Sequence, residues 1–122
     1  MRMTPLRAVL ASVCVALPSV AVADEAAEQM VQDALPVMYH TCVSVVEEAD
    51  GDEAFIYAVV EKLTAVSIYN RQIDINDHAA SDEEKAKLHQ VFVAALRDGC
   101  ADDKDALLAG VVDNAVKSTL GL

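Results

Sequence analysis

The sequence predicts an all-α domain, and three observations carry that prediction. Five segments between residues 24 and 120 repeat apolar residues at spacings of three and four. No segment sustains the apolar–polar alternation that would build a sheet face. The punctuation between them is that of helix ends: Asp50-Gly51, Ser81 three residues before Glu84, and Gly99.

The first segment, "DEAAEQMVQDAL" (24–35), opens on acids that suit the positive end of a helix dipole. It stops before Pro36, whose ring disfavours a helical residue ahead of it. Residues 24–39 therefore read as an N-terminal helix or a loosely attached segment, and 40–122 as a single helical domain. "HTCVSVVEEAD" (40–50) is a short helix with Thr41 as its cap, which puts Cys42 in a first turn. The longest segment, "DEAFIYAVVEKLTAVSIYN" (52–70), repeats Phe55, Ile56, Val59, Val60, Leu63 and Val66. That stripe is wide enough for the central core helix.

"RQIDINDHAA" (71–80) lacks helical period and reads as an extended connector pinned by Ile73 and Ile75. "SDEEKAKLHQVFVAALRDG" (81–99) carries a capping box at Ser81 and Glu84, and Gly99 is its expected C-terminal stop. Its inward face is Leu88, Val91, Phe92, Ala95 and Leu96. After Cys100, Asp102 can cap a last helix through "DKDALLAGVVDNAVKSTL", with Leu107, Leu108, Val111, Val112, Ala115 and Val116 on one face. The expected architecture is a small disulfide-braced domain of four to five helices around residues 52–70.

The N-terminal "MRMTPLRAVLASVCVALPSVAVA" has Arg2 and Arg7, a short apolar run, and small residues at Ala21 and Ala23 before Asp24. This is the pattern of a secretory signal peptide over residues 1–23, cut after Ala23. The apolar run is broken by Pro18 and is too short for a spanning helix, which needs about 20 apolar residues. Cys14 lies inside that run and follows Val13 where a lipid-anchor signal would have a small residue, so no stable membrane anchor is expected. The expected fate of the mature chain is export.

Loss of Arg2 and Arg7 lowers the formal charge from −11 by two, to −13, because all 20 Asp and Glu lie beyond residue 23. Such a surface repels nucleic acid and anionic membrane and favours basic partners. Cleavage also leaves two cysteines, Cys42 and Cys100, in a compartment where disulfides persist. Two cysteines allow one intramolecular pairing. Closing the chain from 42 to 100 would stabilise the fold by about 4 kcal/mol, comparable to the whole net stability of a small domain.

Chemistry beyond a brace finds little support. A cysteine nucleophile needs a thiolate and a base; His40 lies two residues from Cys42, but an oxidised sulfur does not attack, and no C-x-x-C spacing marks a redox pair. The acidic stretch "DINDHAASDEEK" fails as a calcium loop. With Asp74 first, the sixth position is Ala79 in place of Gly, and the twelfth is Lys85 in place of a bidentate Glu. His40, His78 and His89 lack zinc-site spacing. There is no G-x-S-x-G and no glycine-rich phosphate loop. The chain reads as a non-enzyme with no catalytic residue, metal or cofactor. Acid is the stimulus to which its composition responds most. Protonating every carboxylate would swing the mature chain from −13 to about +10, and carboxylates bonded in the native state withdraw stability as pH falls.

A Thr-Cys near the start of an early helix, an acidic "IDIND" connector and the ending "FVAALRDGCADDKDALLAGVVDNA" resemble the HdeA-like periplasmic acid-stress chaperones, over about residues 40–118. The resemblance implies a helical fold with one disulfide, Cys42 to Cys100, around the core helix. It also implies a folded, often dimeric form at neutral pH and a partly unfolded monomer in strong acid. That monomer would hold unfolded periplasmic proteins on apolar surface from Phe55, Ile56, Val59, Val60, Leu63 and Val66, with Val91 and Phe92 as a second patch. The alternative function is an acidic exported binding or inhibitor protein that neutralises a basic partner through charge complementarity.

Overall fold

The computed structural model describes residues 18–122, with side chains from Glu25 onward. The expected signal peptide therefore lies outside the described residues, except for the backbone of 18–23. Five helices follow in order: α1 (Pro18–Ala34), α2 (Cys42–Ala49), α3 (Glu53–Asn70), α4 (Asp82–Asp102) and α5 (Leu108–Leu120). Short 3-10 turns occupy Leu35–Val37 and Ile75–Asp77. Among the described residues no strand forms; Thr41 and Leu107 make one isolated antiparallel bridge.

Local chemistry explains most of the helix starts. At α2, Ser44 N–H donates to Thr41 Oγ1 at 3.0 Å while Thr41 N–H donates to Ser44 Oγ at 2.8 Å, a reciprocal box that satisfies two otherwise orphan amides. The helix ends on Asp50 in the left-handed region, and Gly51 follows at φ +88°, a backbone setting that side chains resist. Asp52 then caps α3 by accepting the Ala54 amide at 3.0 Å. Ser81 caps α4 through the Glu84 amide, and the Glu84 carboxylate reaches back to the Ala80 amide at 3.1 Å.

The core forms where α2, α3 and α5 meet. Val59, Val60 and Leu63 from α3 pack with Cys42 and Val45 from α2 and with Leu108, Val111, Val112 and Val116 from α5. α5 is the most enclosed element, with Val112 at 0% exposure, and it packs against both α3 and α4. α1 lies along α3, and Ala34 at its end is fully buried. Ile73 and Ile75 are half-buried, which is how the 71–80 connector is pinned.

Several sequence expectations are corrected. α4 does not stop at Gly99 but continues to Asp102, so Cys100 sits in its last turns. Gly99 is glycine for another reason: a Cβ there would lie 2.8 Å from Val111 Cγ1, so its absence lets α4 and α5 approach closely. Asp102 does not cap the last helix. Residues 103–107 form a turn in which the Asp103 carboxylate accepts the Asp105 amide at 3.0 Å, and α5 starts only at Leu108. Leu107, expected inside, is 58% exposed, and so is Val91 at 51%. On α3 the buried line passes through Ser67, leaving Val66 half-buried, because position 67 continues the Val60–Leu63 ridge at helical spacing.

Replacing Gly99 by Ala tests the close approach. Alanine raises helix propensity by about 1 kcal/mol, but the overlap with Val111 should outweigh it, for a net loss of about 1–2 kcal/mol in urea unfolding. Adding Val111→Ala should recover part of that loss, so the double variant is less destabilised than the two singles predict.

Candidate functional site

α3 and α4 run antiparallel on either side of a long apolar groove. At one end the groove is a cavity of about 290 Å³, walled by Ile56 and Val60 of α3 and by Phe92, Val93 and Leu96 of α4, with Val45 and Leu108 behind. It continues past Tyr57, Thr64 and His89 to an open hollow of about 190 Å³ bordered by Ile68, Leu88, Val116 and Leu120. Phe92 and His89 border all three parts, which makes the groove continuous. Its cause is geometric: both helices bed on α5, and no side chain of α4 is fully buried.

The residues named as candidate apolar surface divide between three environments. Ile56, Val60 and Phe92 line the groove. Val59 and Leu63 point into the core at 2% and 4% exposure, and the half-buried Phe55 packs against that core. Val66 is half-buried outside the groove walls, and Val91 is exposed without joining them. The sequence named neither His89, Val93 nor Leu96 of the α4 wall for this surface.

The Cys42–Cys100 disulfide closes one end of the groove, with 5.6 Å between the two Cα atoms. It joins the first residue of α2 to the end of α4. Backbone bonds reinforce the junction. Cys42 N–H donates to Ala106 O at 3.1 Å, Val43 N–H to Lys104 O at 3.0 Å, and Leu108 N–H to His40 O at 2.9 Å. The α4–α5 turn thus supplies carbonyls to first-turn amides of α2 that have no partner within their own helix.

His40 sits beside this junction at 1% exposure. Its Nδ1 is 3.0 Å from Ser44 Oγ and its Nε2 is 3.0 Å from Glu48 Oε2. Tyr39 O–H donates to the same Glu48 oxygen at 2.5 Å, and the two rings lie 4.2 Å apart. That carboxylate raises the Tyr39 pKa above its ordinary value, because the bond favours the protonated phenol. With both imidazole nitrogens engaged and Cys42 oxidised, His40 and Cys42 do not form a thiolate–imidazole pair. Among the described residues no group of three His, Cys, Asp or Glu side chains is placed to hold a metal ion. No described helix is long and apolar enough to cross a membrane.

A polar latch fastens α3 to α5 away from the groove walls. Arg71 Nε and Nη2 donate to the two oxygens of Asp113 at 2.8 and 2.7 Å, and Ser67 O–H donates to the first at 2.7 Å. The Arg71 and Ser67 bonds hold the Asp113 pKa down from 3.8 to about 2. A depressed carboxylate stabilises the fold above its unfolded pKa and withdraws that help as pH falls toward its folded pKa. For Asp113 the window is therefore pH about 4 down to about 2.

Two outcomes follow from these junctions. Cys100→Ser should lower unfolding free energy by about 4 kcal/mol, read as a shifted denaturant midpoint relative to the oxidised protein. Asp113→Asn should cost only about 1 kcal/mol at neutral pH, because the pair is one-third exposed and screened. The difference between Asp113→Asn and the parent should shrink as pH falls below about 4 and disappear only below about pH 2, in urea titrations at successive pH values.

No family model, no curated protein and no solved structure matches the chain, so the site is characterised by its own geometry.

Proposed function

We propose that the protein is an exported, non-catalytic holding chaperone of acid stress, working in the periplasm after loss of residues 1–23. The observation that carries this reading is the continuous apolar groove between α3 and α4, closed at one end by a disulfide. Apolar walls of this kind are where an unfolding client would lodge its own exposed apolar segments.

Acid supplies the trigger. As pH falls, the mature chain passes from −13 toward about +10, and the self-repulsion that results acts on a domain with a small core. The capping carboxylates of Asp52, Asp74, Glu84 and Asp103 are exposed and accept backbone amides. These bonds tie helix and turn starts to carboxylates. The Arg71 and Ser67 bonds to Asp113 keep α3 fastened to α5 at a lower pH than an ordinary carboxylate would. The disulfide holds Cys42 to Cys100 throughout, so the groove widens without the chain dispersing.

Aggregation of a periplasmic extract at pH 2 to 3, followed by light scattering with and without the oxidised protein, tests the proposal. Suppression at stoichiometric amounts, together with dye binding to apolar surface that rises below pH 4, is the expected result. Unchanged aggregation would refute it.

A further inference from the structure

We propose that, in the folded protein near neutral pH, the α3–α4 groove docks an amphipathic helix with acidic residues on one flank and basic residues on the other. This concerns the folded state and stands whether or not the protein acts as a chaperone in acid.

The walls choose the occupant's backbone. α3 and α4 satisfy their amides and carbonyls within their own helices, so the groove offers almost no main-chain partners. An extended peptide lying there would bury unpaired N–H and C=O groups, at a cost of at least 1 kcal/mol each. A helix arrives with those groups already paired and needs only apolar anchors at successive turns. Length agrees: the α3 wall from Glu53 to Ile68 spans roughly 23 Å, the rise of about four helical turns.

The lips choose its flanks. The α3 lip presents Glu53 and Glu61 with Tyr57 between them, spaced at four so that they share one edge. The α4 lip presents Lys85, His89 and Arg97 on one edge and no acid. In a chain with 20 acids against 9 Lys and Arg, an acid-free cationic lip runs against composition. The ion pairs of the described residues, His40–Glu48 and Arg71–Asp113, involve neither lip. These charges face each other across the groove, available to whatever lies in it. A helix seated between them meets Glu53 and Glu61 with basic side chains and Lys85 and Arg97 with acidic ones, as flanking charges do beside a coiled-coil seam. A single-headed fatty acid would answer one lip only. A second copy presenting the same face would bring a hollow to a hollow.

The test uses the full oxidised protein and a fluorescein-labelled synthetic helix of about 18 residues, with a leucine seam, Glu on one flank and Lys on the other. Fluorescence anisotropy near neutral pH should show saturable binding that weakens with added salt. The surface variant Lys85→Glu/Arg97→Glu makes both lips acidic; it should weaken this peptide roughly tenfold and favour a peptide with Lys on both flanks. Val93→Trp, checked by circular dichroism, should fill the groove and abolish binding; if it fails to fold, the lip variant decides alone. The proposal is overturned if the parent binds no peptide saturably, or if lip reversal leaves the preference unchanged. It is also overturned if dodecanoate or self-association of the protein displaces the peptide, which would assign the groove to an alkyl chain or a second copy.

Discussion

The junction between residues 40–43 and 100–108 is the constraint on which the rest of the molecule depends. One covalent bond and three backbone hydrogen bonds meet there, and each serves two elements at once. The α4–α5 turn caps α2, the disulfide fixes where α4 ends, and the His40 carbonyl anchors the first amide of α5. Because α4 contributes no fully buried side chain, its position follows from this junction and from its close approach to α5 at Gly99. The groove is what remains when two helices are positioned by a shared neighbour and not by each other.

Much of the fold was legible because the relevant signals are local. Thr41, Ser81 and Asp50-Gly51 mark helix boundaries through chemistry confined to a turn, and the α3 periodicity is carried by apolar residues recurring at spacings of three and four. Gly99 shows where local reading stops. A glycine late in a helical run is equally suited to a C-terminal stop and to a close crossing, and only the position of Val111 on another helix distinguishes them. The same holds at Leu107 and Leu108: both are leucine at the head of an apolar run, and which one turns inward is set by the backbone pairing of 40–43 with 104–108.

The disulfide partners were readable by count, whereas the groove was not readable at all. A groove is the distance between elements, and no residue type encodes it. Ile56, Val60 and Phe92 attracted notice as apolar residues, yet the same reasoning admitted Val59 and Leu63, which the core consumes, and Val91, which faces solvent. His40 illustrates the converse. A histidine near a cysteine invites a catalytic reading, and its near-complete burial with both nitrogens bonded becomes visible only once Ser44 and Glu48 are placed one and two turns along the helix.

The position of the disulfide also divides the chain topologically. Residues 42–100 form a covalent ring that contains α2, α3 and nearly all of α4, while α1 and α5 are tails outside it. The more buried tail, α5, supplies Leu108, Val111, Val112, Ala115 and Val116 to the interior, so the ring holds the perimeter and the plug is held by noncovalent contacts alone. Oxidation therefore protects the outline of the molecule more than its centre. A molecule built this way keeps its circumference through the disulfide even where its interior packing loosens.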